Sequence, residues 1–365
     1  MNIGLLSILH NKEWDFRPDM AQTYATAMKN AIELQLDNDL EKQHGYFLSK
    51  KGYKDKDGNI IDYVYGPCLV ITPVSEAETS TLIPQDAKET LLDVYESFQP
   101  DVVICSHCMA AQIASSVYSL GKCNAARIGI VTDYTLHPYW KGVKLDALVT
   151  PSEQLTYGIV QAGMPEHTVR PIGIPINPKF NLHIDKKEAR AQIGIPDMPT
   201  VLLMGGSMGN GDVVSAIERL DQLPLDFQMV VVCGSNEKLK AKLDAMLTVK
   251  RLTVFGFSNI VDVLMSASDL IVTKPGGLTV SESIAKWLPM VLIDPIPGQE
   301  DRNMDFLTNH GMAMRTGKYL PVDTVVWQLL NNPRRLELMR SAQEMFGKPR
   351  ATDDLQTLIE SFDKK

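Results

Sequence analysis

The stretch VTKPGGLTVSESIAKWLPMVLIDPIPGQEDRN, Val272 to Asn303, gathers the densest set of groups in this chain that could do chemistry. After the apolar run LIVTK, Pro275-Gly276-Gly277 can turn sharply and bring bare backbone N–H groups to a helix start, where a phosphate is readily held. Glu282 then falls about one turn inside that helix, within reach of ribose hydroxyls while the turn holds a diphosphate. Gln299 and Asn303, four apart, share one face if their loop is helical, and offer amide donors and acceptors to a sugar. Lys274 could pair with phosphate, or lie along a strand end with its ammonium in water. A second strand–glycine turn, Gly205-Gly206-Ser207, follows TVLLM. Together these parts read as a nucleotide-sugar site. Candidate bases stand at predicted strand ends: His10, His107, and Asp133 with His137 in VTDYTLHPYW. An imidazole titrating near neutrality suits proton abstraction and a carboxylate could orient it, with a structural role the alternative for each histidine.

Short apolar runs alternating with helical patterns must position these groups, which is the signature of a parallel α/β sheet. NIGLLSIL, YGPCLVITPV, DVVICS, RIGIVT and ALVTPS read as strands of the first half, with AQTYATAMKNAIELQL and AKETLLDVYESF as helices. In the second half TVLLMGG, FQMVVVCG, LTVFGF, DLIVTK and MVLIDP are the strands. The helices between them are VVSAIERLDQL, EKLKAKLDAML, IVDVLMSA, LTVSESIAKW and MDFLTNHG. The expectation is two doubly wound, Rossmann-like domains, 1–172 and 173–349, meeting near Pro171–Leu182, where the prolines of RPIGIPINPKFNL make an extended, helix-free connector. Ligands of such sheets bind at the carboxyl ends of the strands, so two facing sheets imply an interdomain cleft.

Bulk properties bound the function. A chain of 365 residues, 44% hydrophobic and 22% charged, can bury two ordinary cores. The net charge of −8 argues against broad nucleic-acid binding. No apolar run approaches the roughly 20 residues that span a bilayer, and NIGLLSIL lacks the basic flank of a signal peptide. Five cysteines, an odd number without framework spacing, point to reduced thiols in a cytoplasmic protein. Cys105-Ser-His-Cys108 has no second Cys/His pair at zinc spacing, so its thiols are expected in a core. Residues 40–60 are Lys-rich and dotted with aromatics; they read as a solvated hairpin or loop, or as a surface for anionic lipid at the inner membrane face.

The Val272–Asn303 arrangement resembles the donor site of the GT-B glycosyltransferases, above all the branch of monogalactosyldiacylglycerol synthases and processive diacylglycerol glucosyltransferases (family 28). The peptidoglycan N-acetylglucosaminyltransferase is a more distant likeness. IVTDYTLHPYW, GIPINPKF and LLMGGSMGNG resemble further motifs of the lipid enzymes, in the same order between Asp101 and Gly311.

The resemblance implies an acceptor-binding first domain, a nucleotide-sugar-binding second domain, and a last helix, about 350–365, crossing back onto the first. It implies Glu282 on the ribose, Phe257 beside the uracil, and Gln299 and Asn303 on the hexose of a UDP-sugar. The family generally works without a bound metal, and no DxD-like pair stands at a strand end here, so neither metal nor cofactor is expected. The implied reaction is inverting transfer of a hexose to a hydroxyl, with a diacylglycerol-type lipid as acceptor or a soluble small molecule in its place. Where the family carries a glycine-rich loop after the first strand, this chain has HNKEWDFRPDM, whose Trp14 and Phe16 could wall an apolar acceptor pocket. A UDP-sugar epimerase or hydrolase, or a silent nucleotide-binding subunit, would be other uses of the same fold.

Overall fold

The computed structural model describes residues 3–6, 53–54, 60–61, 100–121, 124–205, 213–296 and 298–362. The chain divides into two compact units. One comprises Met1–Thr132, Leu136–Ile172 and Asp353–Lys365, the other Asp133–Thr135 and Gly173–Thr352.

The strands of the first unit are β1 (Ile3–Leu6), β2 (Tyr53–Lys54), β3 (Ile60–Ile61), β4 (Val102–Cys105), β5 (Ala126–Ile130), β6 (Ala147–Val149) and β7 (Val169–Arg170). A parallel sheet runs β1-β4-β5-β6-β7, while β2 and β3 pair antiparallel, Tyr53 opposite Ile61. β4 is buried on both faces, as a parallel strand covered by helices must be. Its alternate residues feed two cores. Val103 and Cys105 pack with the helix Cys108–Ser119, and Val102 and Ile104 pack with Leu355, Leu358 and Ile359 of the last helix, Ala351–Glu360. The expected strand YGPCLVITPV and the helices AQTYATAMKNAIELQL and AKETLLDVYESF lie outside the described residues.

The second unit carries β8 (Thr200–Met204), β9 (Gln228–Val232), β10 (Leu252–Phe255), β11 (Leu270–Thr273), β12 (Met290–Leu292) and β13 (Ala313–Arg315). They form one parallel sheet in the order β10-β9-β8-β11-β12-β13. Numbered within the unit this is 3-2-1-4-5-6, the doubly wound order. Strand order reverses between β8 and β11, and Thr273 lies level with Met204 there. The chain therefore leaves both strands side by side at the switch point, where such sheets bind ligands.

Two expectations about elements need correction. The connector is not helix-free: Pro178–Asn181 forms a 3₁₀ turn. Asn177 caps it, its Oδ1 accepting from the Lys179 N–H at 3.1 Å, and Pro178 fits the first helical position because its missing N–H is not needed there. The helix expected from Met304 begins earlier, at Gln299 (Gln299–Asn309). Gly298 takes φ +93°, and the Asp301 carboxylate accepts from its N–H at 3.0 Å, starting the helix there.

Gly173, which opens the second unit, has φ +104°, and a Cβ there would stand 2.4 Å from Lys348 Cβ. Both backbone strain and a clash oppose any side chain. Gly173→Ala should lower unfolding stability by about 2–4 kcal/mol. Urea unfolding measures this, and an unchanged midpoint would show that the junction relaxes freely. Among the described residues no helix is long and apolar enough to cross a membrane.

Candidate functional site

At the switch point, Thr273 Oγ1 donates to the Met204 carbonyl at 3.0 Å and ties the ends of β11 and β8 together. Gly205 follows β8 and is buried; Gly206 and Ser207 of the second glycine turn lie outside the described residues. Beyond β11, Lys274 is half-buried, Pro275 buried, and Gly276 is the N-cap of the helix Gly277–Ala285. No side chain caps that helix. Its first-turn N–H groups and the positive end of its dipole are thus left to face a ligand at the sheet's carboxyl end. Backbone geometry does not demand glycine at 276. Its φ is −71°, and an added Cβ would meet only Glu300 Oε1, at 3.7 Å.

Glu282 lies further along this helix, half-buried, and burial pushes its carboxyl up to about 7. The nearby Lys179 ammonium pulls the other way and the Asp262 carboxylate adds to the rise. Lys179 is paired with Asp262 at 3.1 Å and donates to the Asn259 carbonyl. Asn259 belongs to the loop after β10, which also carries Phe257. Phe257 is 86% exposed, so the loop presents the ring to solvent rather than to a core. Lys179 was not among the residues singled out by sequence. Its only signal was membership of GIPINPKF.

Asn303 does not do what its spacing implied. It is fully buried, its Nδ2 donating to Asp133 Oδ1 at 2.8 Å and to the Pro275 carbonyl at 3.0 Å. Its Oδ1 accepts from the Tyr134 N–H at 2.7 Å. Both amide N–H bonds are spent inside the protein, so Asn303 has no donor left for a hexose. It instead hangs the Asp133 carboxylate and the Pro275 turn on one side chain. Gln299 opens the same helix one turn earlier.

Tyr134 completes this corner. Its hydroxyl meets Ser281 Oγ at 3.1 Å, its ring lies 5.2 Å from that of Phe306, and burial pushes its pKa up to about 12. It is a buried anchor that brings Asp133–Thr135 into the second unit. Sequence pattern gave no sign of this, because the partner face is remote in the chain.

The two candidate histidines with described positions, His107 and His137, are N-caps. His107 Nδ1 accepts from the Met109 N–H, and His137 Nδ1 from the Tyr139 N–H, each at 3.2 Å. A neutral ring that accepts at Nδ1 carries its proton on Nε2 and presents a donor there rather than a base. His107 and His137 are accordingly corrected from candidate bases to cap residues. Cys105 and Cys108 are buried thiols, with Cys108 Sγ 3.9 and 4.0 Å from the two Nδ1 atoms. Asp133 is the candidate base that the structure places beside the Pro275-Gly276-Gly277 turn, through Asn303. His10, Trp14 and Phe16 lie outside the described residues.

Residues 74–176 match the family model for monogalactosyldiacylglycerol (MGDG) synthase, and residues 200–355 match the glycosyltransferase family 28 C-terminal domain. A processive diacylglycerol beta-glucosyltransferase of Bacillus pumilus is 29% identical over 238 residues, 64% of this chain and 62% of that protein. The chloroplastic monogalactosyldiacylglycerol synthase of Spinacia oleracea is 29% identical over 297 residues, 78% of this chain and 53% of that one. The chain thus spans only part of the length of these relatives. MurG of Acinetobacter baumannii superposes with a TM-score of 0.60 at 15% identity, covering 98% of this chain and 99% of MurG. Anabaena HepE in complex with UDP gives 0.54 at 14%, covering 99% and 100%. The fold is GT-B, and along the chain the MGDG synthase match is followed by the family 28 C-terminal match.

Proposed function

We propose that this chain, with its paired MGDG-synthase and family 28 domains, is an inverting glycosyltransferase that moves a hexose from a UDP-sugar to a hydroxyl of a diacylglycerol-type lipid. The observation that carries this is the uncapped start of the helix Gly277–Ala285 at the sheet's switch point, with Glu282 on the same helix. The diphosphate sits against the N–H groups after Pro275-Gly276-Gly277, and the glycine at 276, unexplained by internal packing, admits it closely. Glu282 accepts from the ribose hydroxyls, and the exposed Phe257 ring lies against the uracil. Gln299 and Lys274 remain the residues for the hexose and phosphate. The relatives named for diacylglycerol glucosyl transfer and MGDG synthesis support the lipid acceptor.

In the reaction, Asp133 takes the proton of the acceptor hydroxyl as its oxygen bonds to the anomeric carbon from the face opposite the diphosphate. The bond from that carbon to the β-phosphate oxygen breaks, its electron pair stays with UDP, and the configuration inverts. The helix N-terminus stabilises the growing phosphate charge. Asp133 keeps its orientation through Asn303. A lipid acceptor brings the protein to the membrane surface as a peripheral enzyme.

Following UDP release from UDP-glucose and UDP-galactose, with and without diacylglycerol vesicles, tests the assignment. Release that depends on the lipid and yields a glycolipid supports it. Release or epimerisation without acceptor overturns it. Because no DxD pair follows any strand of the second unit, EDTA should leave the rate within about twofold, helix and backbone donors doing the metal's work. Loss of activity on chelation, restored by Mg²⁺ or Mn²⁺, would show that the leaving group needs a cation.

A further inference from the structure

Glu282 faces a small charged constellation that the reading above leaves without a role. Lys179 sits in the 3₁₀ turn Pro178–Asn181, against which the helix Gly277–Ala285 packs. Its ammonium makes two contacts: it pairs with Asp262 at 3.1 Å in the first turn of the helix Val261–Ser266 and donates to the Asn259 carbonyl. Its charge also favours the ionised form of Glu282. At the C-cap of the Glu282 helix stands Lys286, whose ammonium is spent elsewhere. It donates to the Leu182 carbonyl and to Ser266 Oγ. Lys179 and Asp262 are thus the charged groups that bear on Glu282 from the elements packed against it.

We propose that Lys179 is a positioning residue of the nucleotide site, holding the loop Gly256–Ile260 to the connector turn and placing a cation beside the helix that carries Glu282. This rests on Glu282 being the ribose carboxylate. Two consequences follow from the geometry. The ammonium that holds the loop with Phe257 also bears on the charge of the Glu282 carboxylate, so base and ribose contacts are linked through one residue. Asp262 keeps Lys179 in place and also opposes its effect, because its own negative charge disfavours a second anion at Glu282.

Glu282 must be ionised to accept from two vicinal hydroxyls, so affinity should fall as pH drops through its pKa. The suitable probe is UDP-glucose, whose doubly esterified diphosphate carries no proton near neutrality. Calorimetric titration across the neutral range gives a midpoint for each variant. Lys179→Met removes the charge that lowers the Glu282 pKa, so the midpoint should move up, with binding at pH 7 weaker by about three- to tenfold. Asp262→Asn removes the charge that raises it, so the midpoint should move down. Lys179→Arg should restore the parent profile.

A purely structural Lys179 would weaken binding at every pH without moving the midpoint. That outcome, or both variants moving the same way, would overturn the inference. Glu282→Ala run in parallel separates the two layers. If it leaves affinity and pH profile untouched, the ribose assignment itself fails. If it abolishes the profile while Lys179→Met and Asp262→Asn leave the midpoint in place, only the role of Lys179 fails.

Discussion

Asp133→Asn lowers turnover by about 10²–10⁴-fold while UDP affinity stays within about twofold, the expected result if this carboxylate takes the acceptor's proton. The substitution is nearly isosteric, and the new side-chain carbonyl can still accept from Asn303 Nδ2, now 2.8 Å from Asp133 Oδ1. The clamp that joins Asn303, the Tyr134 N–H and the Pro275 carbonyl is therefore kept. What is lost is only the carboxylate that would accept the acceptor's proton. Single-turnover kinetics on the lipid acceptor measure the chemical step, and calorimetry with UDP shows whether the donor turn is intact. An unimpaired chemical step would move the base elsewhere. His107 and His137 are poor substitutes because their Nδ1 atoms serve backbone N–H groups. His10 would then be the residue to change next.

The parts of this site that could be read from sequence are those whose chemistry is local. Pro-Gly-Gly after an apolar strand, followed by a helical pattern, specifies a strand–turn–helix without reference to the rest of the chain, and the structure has it at Thr273–Ala285. The cap role of the histidines was also legible. His137 precedes Pro138 at the first position of a 3₁₀ turn, and His107 precedes the helix Cys108–Ser119. A structural role stood beside catalysis for each histidine, and as caps His107 and His137 have one.

What could not be read is set by contacts distant in the chain. Spacing put Gln299 and Asn303 on one helical face, but Tyr134 decides that Asn303 turns inward. The burial of Glu282 depends on the Pro178–Asn181 turn packed against its helix, which the two prolines of GIPINPKF made look merely extended. β7 and β13, of two and three residues, are too short to show any period. Each is a strand because a formed parallel neighbour offers it a ladder.

Glu282→Gln should make the free protein more stable above neutral pH while weakening UDP binding by about 1.5–3 kcal/mol. Burial raises the Glu282 carboxyl from its ordinary 4.5 to about 7, so the folded state holds this proton more tightly than the unfolded chain does. The sign follows from that difference. The stabilising contribution is whole below about pH 4.5 and is lost as pH rises through about 7, where the folded protein must carry a desolvated charge. Glutamine keeps the shape without the charge, so the variant should gain thermal stability at pH 8 and little at pH 5. The same substitution replaces an anionic acceptor by an amide that can satisfy at most part of a vicinal diol, hence the loss of affinity. Opposite changes in stability and in binding, from one atom's difference, are what a carboxylate kept for its ligand predicts. Thermal unfolding at the two pH values and UDP calorimetry give both numbers. If the variant is less stable at pH 8, Glu282 is a structural acceptor whose partners lie within the protein. If stability rises but UDP affinity is unchanged, the carboxylate is strained for some purpose other than the ribose.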